Sequence, residues 1–258
     1  MAVKFFNMTR ADFLSRDLLF KYMPLERALD LLINHQMWFA NPTIWKDPFE
    51  KRFIENDYKV GTGISSFPWK DRVYCMCMTQ TSTSEAYWNT YANKDIGISF
   101  RFDRQKLIDE LDRISDTTSY RIFIGKVEYQ KTSDIKQDIS KNKFLNPSGK
   151  PINDLRKEDI KVRMLLLKRN AYKYENELRF FIVRDKVSNA KGMLLPFAIP
   201  NTDLIKYISL DPRLEEHTVA LLRKEFENTY GFHPYSPTNR RVQRSLLYKE
   251  EKKTTLKL

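Results

Sequence analysis

An α+β fold is what this sequence predicts. Strand-like segments occur in both halves of the chain, mixed with helical ones but without the regular βα alternation of a doubly wound sheet. Glycine is scarce, seven in 258 residues, and no GxGxxG or GxxxxGK(S/T) run is present, so neither a Rossmann fingerprint nor a P-loop is encoded. No internal repeat or linker interrupts residues 1–238, which are expected to form one domain, followed by a basic, mobile tail over 239–258.

The elements follow in order. Thr9-Arg10-Ala11-Asp12 has the form of a capping box opening a short helix. A strand is expected over 18–22, then a helix with Pro24 in its first turn and Leu25, Ala28, Leu29, Leu32 and Ile33 on one face. Residues 37–40 read as a strand, and 43–68 as a long, partly packed loop holding Trp45, Phe49, Phe53 and Tyr58. A strand at 73–78 precedes a helix at 85–92, with Ser84 as its cap. Ile96, Ile98, Phe100 and Phe102 alternate with Ser99 and Arg101, the pattern of a half-buried strand, and Asp103 caps the next helix. A strand at 120–129 leads to a polar stretch with a turn at Asn146-Pro147-Ser148-Gly149. A helix over 154–168, a turn and strand over 172–183, strands at 193–199 and 205–210, and a helix at 214–230 complete the domain.

Forty-five Lys+Arg against 33 Asp+Glu give a net charge of +12, the balance of a protein with a polyanionic partner. Hydrophobic content of 41% is that of a globular chain rather than a disordered one. Cys75 and Cys77 are expected on opposite faces of a strand, unpaired and buried in a reducing compartment. His35, His217 and His233 are isolated, so no metal site is expected. The first ten residues have no apolar signal core, and no apolar run approaches the ~18 residues of a membrane span. A cytoplasmic protein without membrane attachment is expected.

Three segments carry chemistry. In Lys173-Tyr174-Glu175-Asn176-Glu177-Leu178-Arg179, two carboxylates two apart at the mouth of a strand are expected on one face, where each shifts the other's pKa. The plain alternative is two solvated carboxylates offset by Lys173 and Arg179. In Ser84-Glu85-Ala86-Tyr87-Trp88-Asn89-Thr90-Tyr91, the pairs Ser84/Tyr87 and Trp88/Tyr91 each share a helix face. They form either core aromatics or a wall that stacks on a flat cationic ring. Lys21-Tyr22 places a polar pair at the end of a strand just before a helix.

In that order, Lys21-Tyr22, Tyr91 and Glu175-Asn176-Glu177 resemble the three motifs of the ADP-ribosyltransferase superfamily. More locally, the chain is similar to an uncharacterised bacterial family near that superfamily. The likeness is carried by Lys21-Tyr22, Asp47-Pro48-Phe49-Glu50, Trp88-x-x-Tyr91-Ala92 through Gly97, and Tyr174-Glu175-x-Glu177-x-Arg179, and spans about residues 18–226. Lys46 stands where that family has Asn, and the first strand offers Lys or Tyr rather than His or Arg.

The resemblance implies split mixed and antiparallel sheets with flanking helices, and NAD bound as substrate in a cleft between them. Glu177 would stabilise the oxocarbenium-like ribose, and Glu175 would orient or deprotonate the acceptor. Tyr91 would stack on nicotinamide, Lys21 or Tyr22 would hold the adenosine ribose or phosphates, and Trp88 and Ser84 would complete the NAD site. Relatives of this style act as toxins in toxin–antitoxin and anti-phage systems, which implies an antitoxin partner. Net charge and the basic tail, with Arg240, Arg241 and Arg244, favour nucleic acid as acceptor, single-stranded RNA above DNA. The alternative is a non-catalytic basic nucleic-acid-binding protein. A metal-dependent nuclease built on Asp47, Glu50, Glu175 and Glu177 would lack a PD…ExK arrangement.

Overall fold

The computed structural model describes residues 2–60, 63–92, 96–140, 157–198, 201–232 and 241–248. The first half comprises β1 (Lys4–Phe6), α1 (Arg10–Leu14), β2 (Phe20–Pro24), α2 (Leu25–Asn34), β3 (Gln36–Ala40) and α3 (Pro48–Glu55). The hairpin β4 (Asp57–Val60) and β5 (Gly63–Ser66), β6 (Val73–Thr79), α4 (Glu85–Tyr91), β7 (Gly97–Phe102) and α5 (Arg104–Thr117) follow. The second half begins with β8 (Arg121–Lys126), β9 (Glu128–Gln130), α6 (Thr132–Ser140), α7 (Glu158–Leu166), β10 (Leu167–Arg169) and β11 (Glu177–Val183). It ends with β12 (Gly192–Pro196), α8 (Asn201–Leu204), β13 (Ile205–Leu210), α9 (Glu216–Tyr230) and β14 (Arg241–Arg244).

The fold is mixed α+β. Ten strands form one mixed sheet along β1-β8-β11-β6-β2-β7-β13-β14, with β3 joined to β6 and β12 to β3. This sheet is forked. The edge of β6 meets β3 only through Ala40↔Cys75 and β2 only through Phe20↔Thr79. Beyond Phe20, β2 turns to β7, with which it pairs along its whole length. Two half-sheets therefore diverge at the end of β6.

Helices cover both faces of the β8–β11–β6 half and mainly one face of the half beyond β2. One core joins β7, β13 and β11 to α2, α5 and α9 through Phe100, Ile208, Phe180, Leu31, Ile108 and Phe226. A second packs α3 and α7 on the opposite face of β6, β8 and β11 through Phe53, Leu166, Cys75, Phe123 and Phe181. A small aromatic cluster of Phe20, Tyr22, Tyr87, Trp88 and Ala92 lies between α4 and β2. Beside α4 and Tyr22 both faces of β7 are covered, so Ile98, Ser99 and Phe100 are buried alike rather than half-buried, while Arg101 is not.

The Thr9 capping box is present, with Thr9 Oγ1 accepting from Asp12 N at 3.0 Å. The expected loop over 43–68 holds α3 and the β4–β5 hairpin instead. Asp47 caps α3 by accepting from Phe49 N at 3.0 Å, Pro48 sits in the first turn, and Glu50, Phe53 and Ile54 face inward. Pro24 closes β2 rather than opening α2, and Leu31 takes the buried place expected of Ile33, which is 58% exposed. Within the expected mobile tail, Arg241–Arg244 form β14, which pairs in parallel with β13 and buries Val242. The expected turn at Asn146–Gly149 lies outside the described residues.

Candidate active site

A cleft opens where the sheet forks. Lys21 on β2 donates from Nζ to the Cys77 carbonyl of β6 at 2.8 Å, bridging the strands just past their one backbone pair. Tyr91, at the end of α4, lies across the opening with its ring centroid 6.0 Å from that ammonium. Glu177, the first residue of β11, closes the far side. With Phe20, Tyr22, Cys77, Met78, Thr79 and Tyr87 these residues line about 230 Å³, open mouth included. Only about 10 Å³ of it is free to a water-sized body, the room of a single water, so a ring of a dinucleotide enters only if the walls part.

The α4 wall is aromatic. Tyr22, Tyr87 and Tyr91 stack in succession, with centroids 5.0 and 5.4 Å apart and interplanar angles of 20° and 21°. Trp88 meets Tyr22 edge-on at 4.8 Å and is 1% exposed. Tyr22 donates its hydroxyl to the Ser82 carbonyl at 2.9 Å, which fixes it as packing as much as lining. Trp88 and Ser84, expected in the NAD site, do not line the cleft: Trp88 is enclosed in the aromatic cluster, and Ser84 occupies the N-cap position of α4 without a side-chain cap bond. Gly97 sets how closely α4 approaches β7. A Cβ there would lie 2.4 Å from the Ala92 Cβ and 3.1 Å from the Trp88 ring.

The carboxylates converge, but not through strand parity. Glu175 ends a 3₁₀ turn (Asn170–Glu175), Asn176 adopts the left-handed region at φ 42°, and only then does β11 begin. Asn tolerates that conformation better than other non-glycine residues. The turn is clamped from outside: the Glu175 carbonyl accepts from Thr79 Oγ1 at 2.7 Å and from the Tyr87 hydroxyl, and the Asn176 carbonyl accepts from Gln80 N at 3.2 Å.

Both carboxylates meet Lys168 of β10, whose Nζ donates to Glu175 Oε2 at 2.6 Å and Glu177 Oε2 at 3.1 Å. Arg179 donates Nε to Glu177 Oε1 and Nη2 to Glu177 Oε2, both at 3.1 Å, and reaches Glu50 Oε1 at 2.8 Å. Glu50 also lies 3.3 Å from Lys168, and the Arg179 guanidinium sits 4.3 Å above the Trp45 ring. The five side chains are only 1–7% exposed. The reading of solvated carboxylates offset by Lys173 is therefore corrected: Lys173 is exposed, and Lys168 stands in its place.

Three carboxylates share two cations, and the surplus shows. Burial, and then the charge of Glu177, push Glu175 up to about 7. Burial also opposes ionisation of Glu177, but Arg179 and Lys168 outweigh it and hold that carboxyl well below its usual range. Burial lowers Lys21, against the opposing pull of Cys77, Cys75 and Glu177. Burial, reinforced by Glu177 and Glu175, raises Tyr91 far above the phenol range and keeps it neutral.

Cys75 and Cys77 share a face of β6, with Sγ atoms 3.9 Å apart, which corrects the expectation of opposite faces. One intervening residue on a strand returns the side chain to the same side. Their hydrogen bond and burial raise Cys77, a neutral thiol in the cleft lining. Among the described residues no group of three or more His, Cys, Asp or Glu is placed to hold a metal, and no helix is long and apolar enough to cross a membrane. Of the expected nucleic-acid residues, Arg241 is exposed on β14. Arg244 is spent on the Pro212 carbonyl at 3.0 and 2.8 Å, and Arg240 lies outside the described residues.

Residues 87–180 match a family described as "Protein of unknown function (DUF2971)". The matched stretch runs from Tyr87 in α4 into β11, so it holds Tyr91, Lys168, Glu175, Glu177 and Arg179 but not Lys21, Tyr22 or Glu50. No curated protein and no solved structure matches the chain.

Proposed function

We propose that this chain is an NAD-consuming ADP-ribosyltransferase of the ADP-ribosyltransferase-like fold, with Glu177 as its central catalytic group. One observation carries the reading: an ionised, buried carboxylate stands in a cleft at the fork of the sheet, opposite a lysine and a tyrosine ring. Breaking the nicotinamide–ribose bond sends the electron pair out with nicotinamide and leaves positive charge on the ribose. A carboxylate that accepts a ribose hydroxyl stabilises that charge as it develops. Arg179 and Lys168 take three of the roughly four lone-pair sites of Glu177 and the Cys77 thiol meets the carboxylate as well, so a ribose hydroxyl takes the place of that weak thiol donor.

Glu175 lies on Lys168 outside the cleft lining; as the base that takes the acceptor's proton while the acceptor attacks the ribose it acts only once the cleft opens to it, and its raised pKa suits that task at neutral pH. Tyr91 covers the cationic nicotinamide. Lys21 is the first-strand residue for the phosphates or adenosine ribose, since Tyr22 is committed to Ser82 and to the aromatic cluster. The acceptor class is nucleic acid, single-stranded RNA in preference to DNA, for which the net charge of +12 argues. The motif resemblance extends this to a toxin or anti-phage effector held in check by an antitoxin.

The test is incubation of the purified protein with NAD labelled in the ADP-ribose moiety and separate pools of RNA, DNA and protein. Label on RNA is expected. Intact NAD in every pool would remove the transferase reading.

A further inference from the structure

Among the described residues, one half-sheet has a face that the helices leave open. Cross-strand register sets Phe20, Arg101, Tyr207 and Arg241 in a single row over β2, β7, β13 and β14. The alternate residues Phe100, Ile208 and Val242 point the other way, into the core shared with α2, α5 and α9. On the open side, α4 covers only the β2 end, through Tyr87 and Trp88 against Tyr22, with Leu247 packed beside them. Farther out, Arg101 is 27% exposed, Tyr207 is half-buried, and Arg241 is exposed. The row starts at the cleft, because Phe20 is part of its lining. It reaches the sheet edge three strand spacings later, about 14 Å.

We propose that single-stranded nucleic acid lies along this row, with a base stacked on Tyr207 and phosphates against Arg101 and Arg241, and so enters the cleft from the β14 side. The row alternates what an unpaired strand presents, a ring for bases between cations for phosphates. Its neighbours Ser209 and Gln243 on the same face are polar. Arg101 pairs through Nη2 with Asp17, which is 66% exposed and replaceable by phosphate. A duplex buries the faces of its bases and gains little from a protruding ring. The inference rests on the transferase reading for what happens in the cleft, but not for the binding itself.

The experiment is fluorescence anisotropy with a labelled single-stranded RNA and its matched duplex at low and high salt, beside acceptor-free NAD hydrolysis and thermal melts. Wild type is expected to prefer the single strand. Tyr207→Ala is expected to weaken binding about tenfold, while Tyr207→Phe, which keeps the ring, binds as wild type. Arg241→Gln, at an exposed position, is expected to lower the salt slope by about one with an unchanged melt. None of the three changes NAD hydrolysis. Unaltered RNA binding by both Tyr207→Ala and Arg241→Gln, equal affinity for duplex, or label on protein alone overturns the inference and leaves NAD chemistry standing. Absence of NAD hydrolysis in wild type removes the transferase reading and leaves the binding result to be judged on its own.

Discussion

On the β11 side of the cleft five charged side chains are buried together, with Lys168 and Arg179 shared among Glu50, Glu175 and Glu177. On the β2 side, Tyr22, Tyr87, Tyr91 and Trp88 pack ring on ring, and their hydroxyls mostly meet backbone carbonyls. The difference separates two tasks. The charged wall fixes protonation states, because each group's ionisation depends on the others. The aromatic wall fixes shape. A charged wall responds to single substitutions far more sharply than its area suggests, since removing one partner leaves another charge buried and uncompensated.

The largest effect is therefore expected from Arg179→Met, which leaves Glu177 and Glu50 without their guanidinium and should cost about 3–5 kcal/mol in urea melts. A loss under 1 kcal/mol would show that the network is solvated and the contrast between the walls false. Trp88→Ala should cost a similar ~3–5 kcal/mol as a cavity, but with the apparent KM for NAD unchanged in whatever remains folded. Tyr91→Ala should reverse that pattern, destabilising by about 1 kcal/mol or less while raising the KM for NAD. Matching stability losses with matching KM values for the two would make the whole wall core.

A subtler effect concerns pH. Between about pH 4.5 and 7 the folded chain keeps a proton on Glu175 that the unfolded chain has released, so rising pH lowers stability across that window. Glu177, held low, acts oppositely below pH 4.5: the unfolded chain takes up the proton first, so stability falls as pH drops. Glu175→Gln should abolish the upper slope in urea melts and leave the lower one. Persistence of the upper slope would assign it to another group.

Much of the scaffold was legible because its signals are local. The Thr9 capping box, the Asp103 cap of α5 and the strand at 205–210 follow from adjacent residues alone. The α3 helix was illegible because eight residues, half of them charged, give too little periodicity to outweigh their polarity. At the site, Arg179 could have been paired with Glu177 by strand parity, the same rule that puts Cys75 beside Cys77. Nothing local announces Lys168 or Glu50. Lys168 reaches the carboxylates through the β9–β10 pairing and the 3₁₀ turn, and Glu50 arrives on α3, 129 residues from Arg179. The left-handed Asn176 was equally hidden, so the carboxylates were placed together for a reason that the backbone does not use.

The most direct test of the account is Glu177→Gln. It leaves Glu50 and Glu175 facing Lys168 and Arg179, two carboxyls against two cations, so the variant should fold with a near wild-type circular dichroism spectrum. The expected result is loss of both NAD consumption and transfer to single-stranded RNA, with RNA binding retained. A folded Glu177→Gln protein that still consumes NAD at the wild-type rate would contradict the central claim.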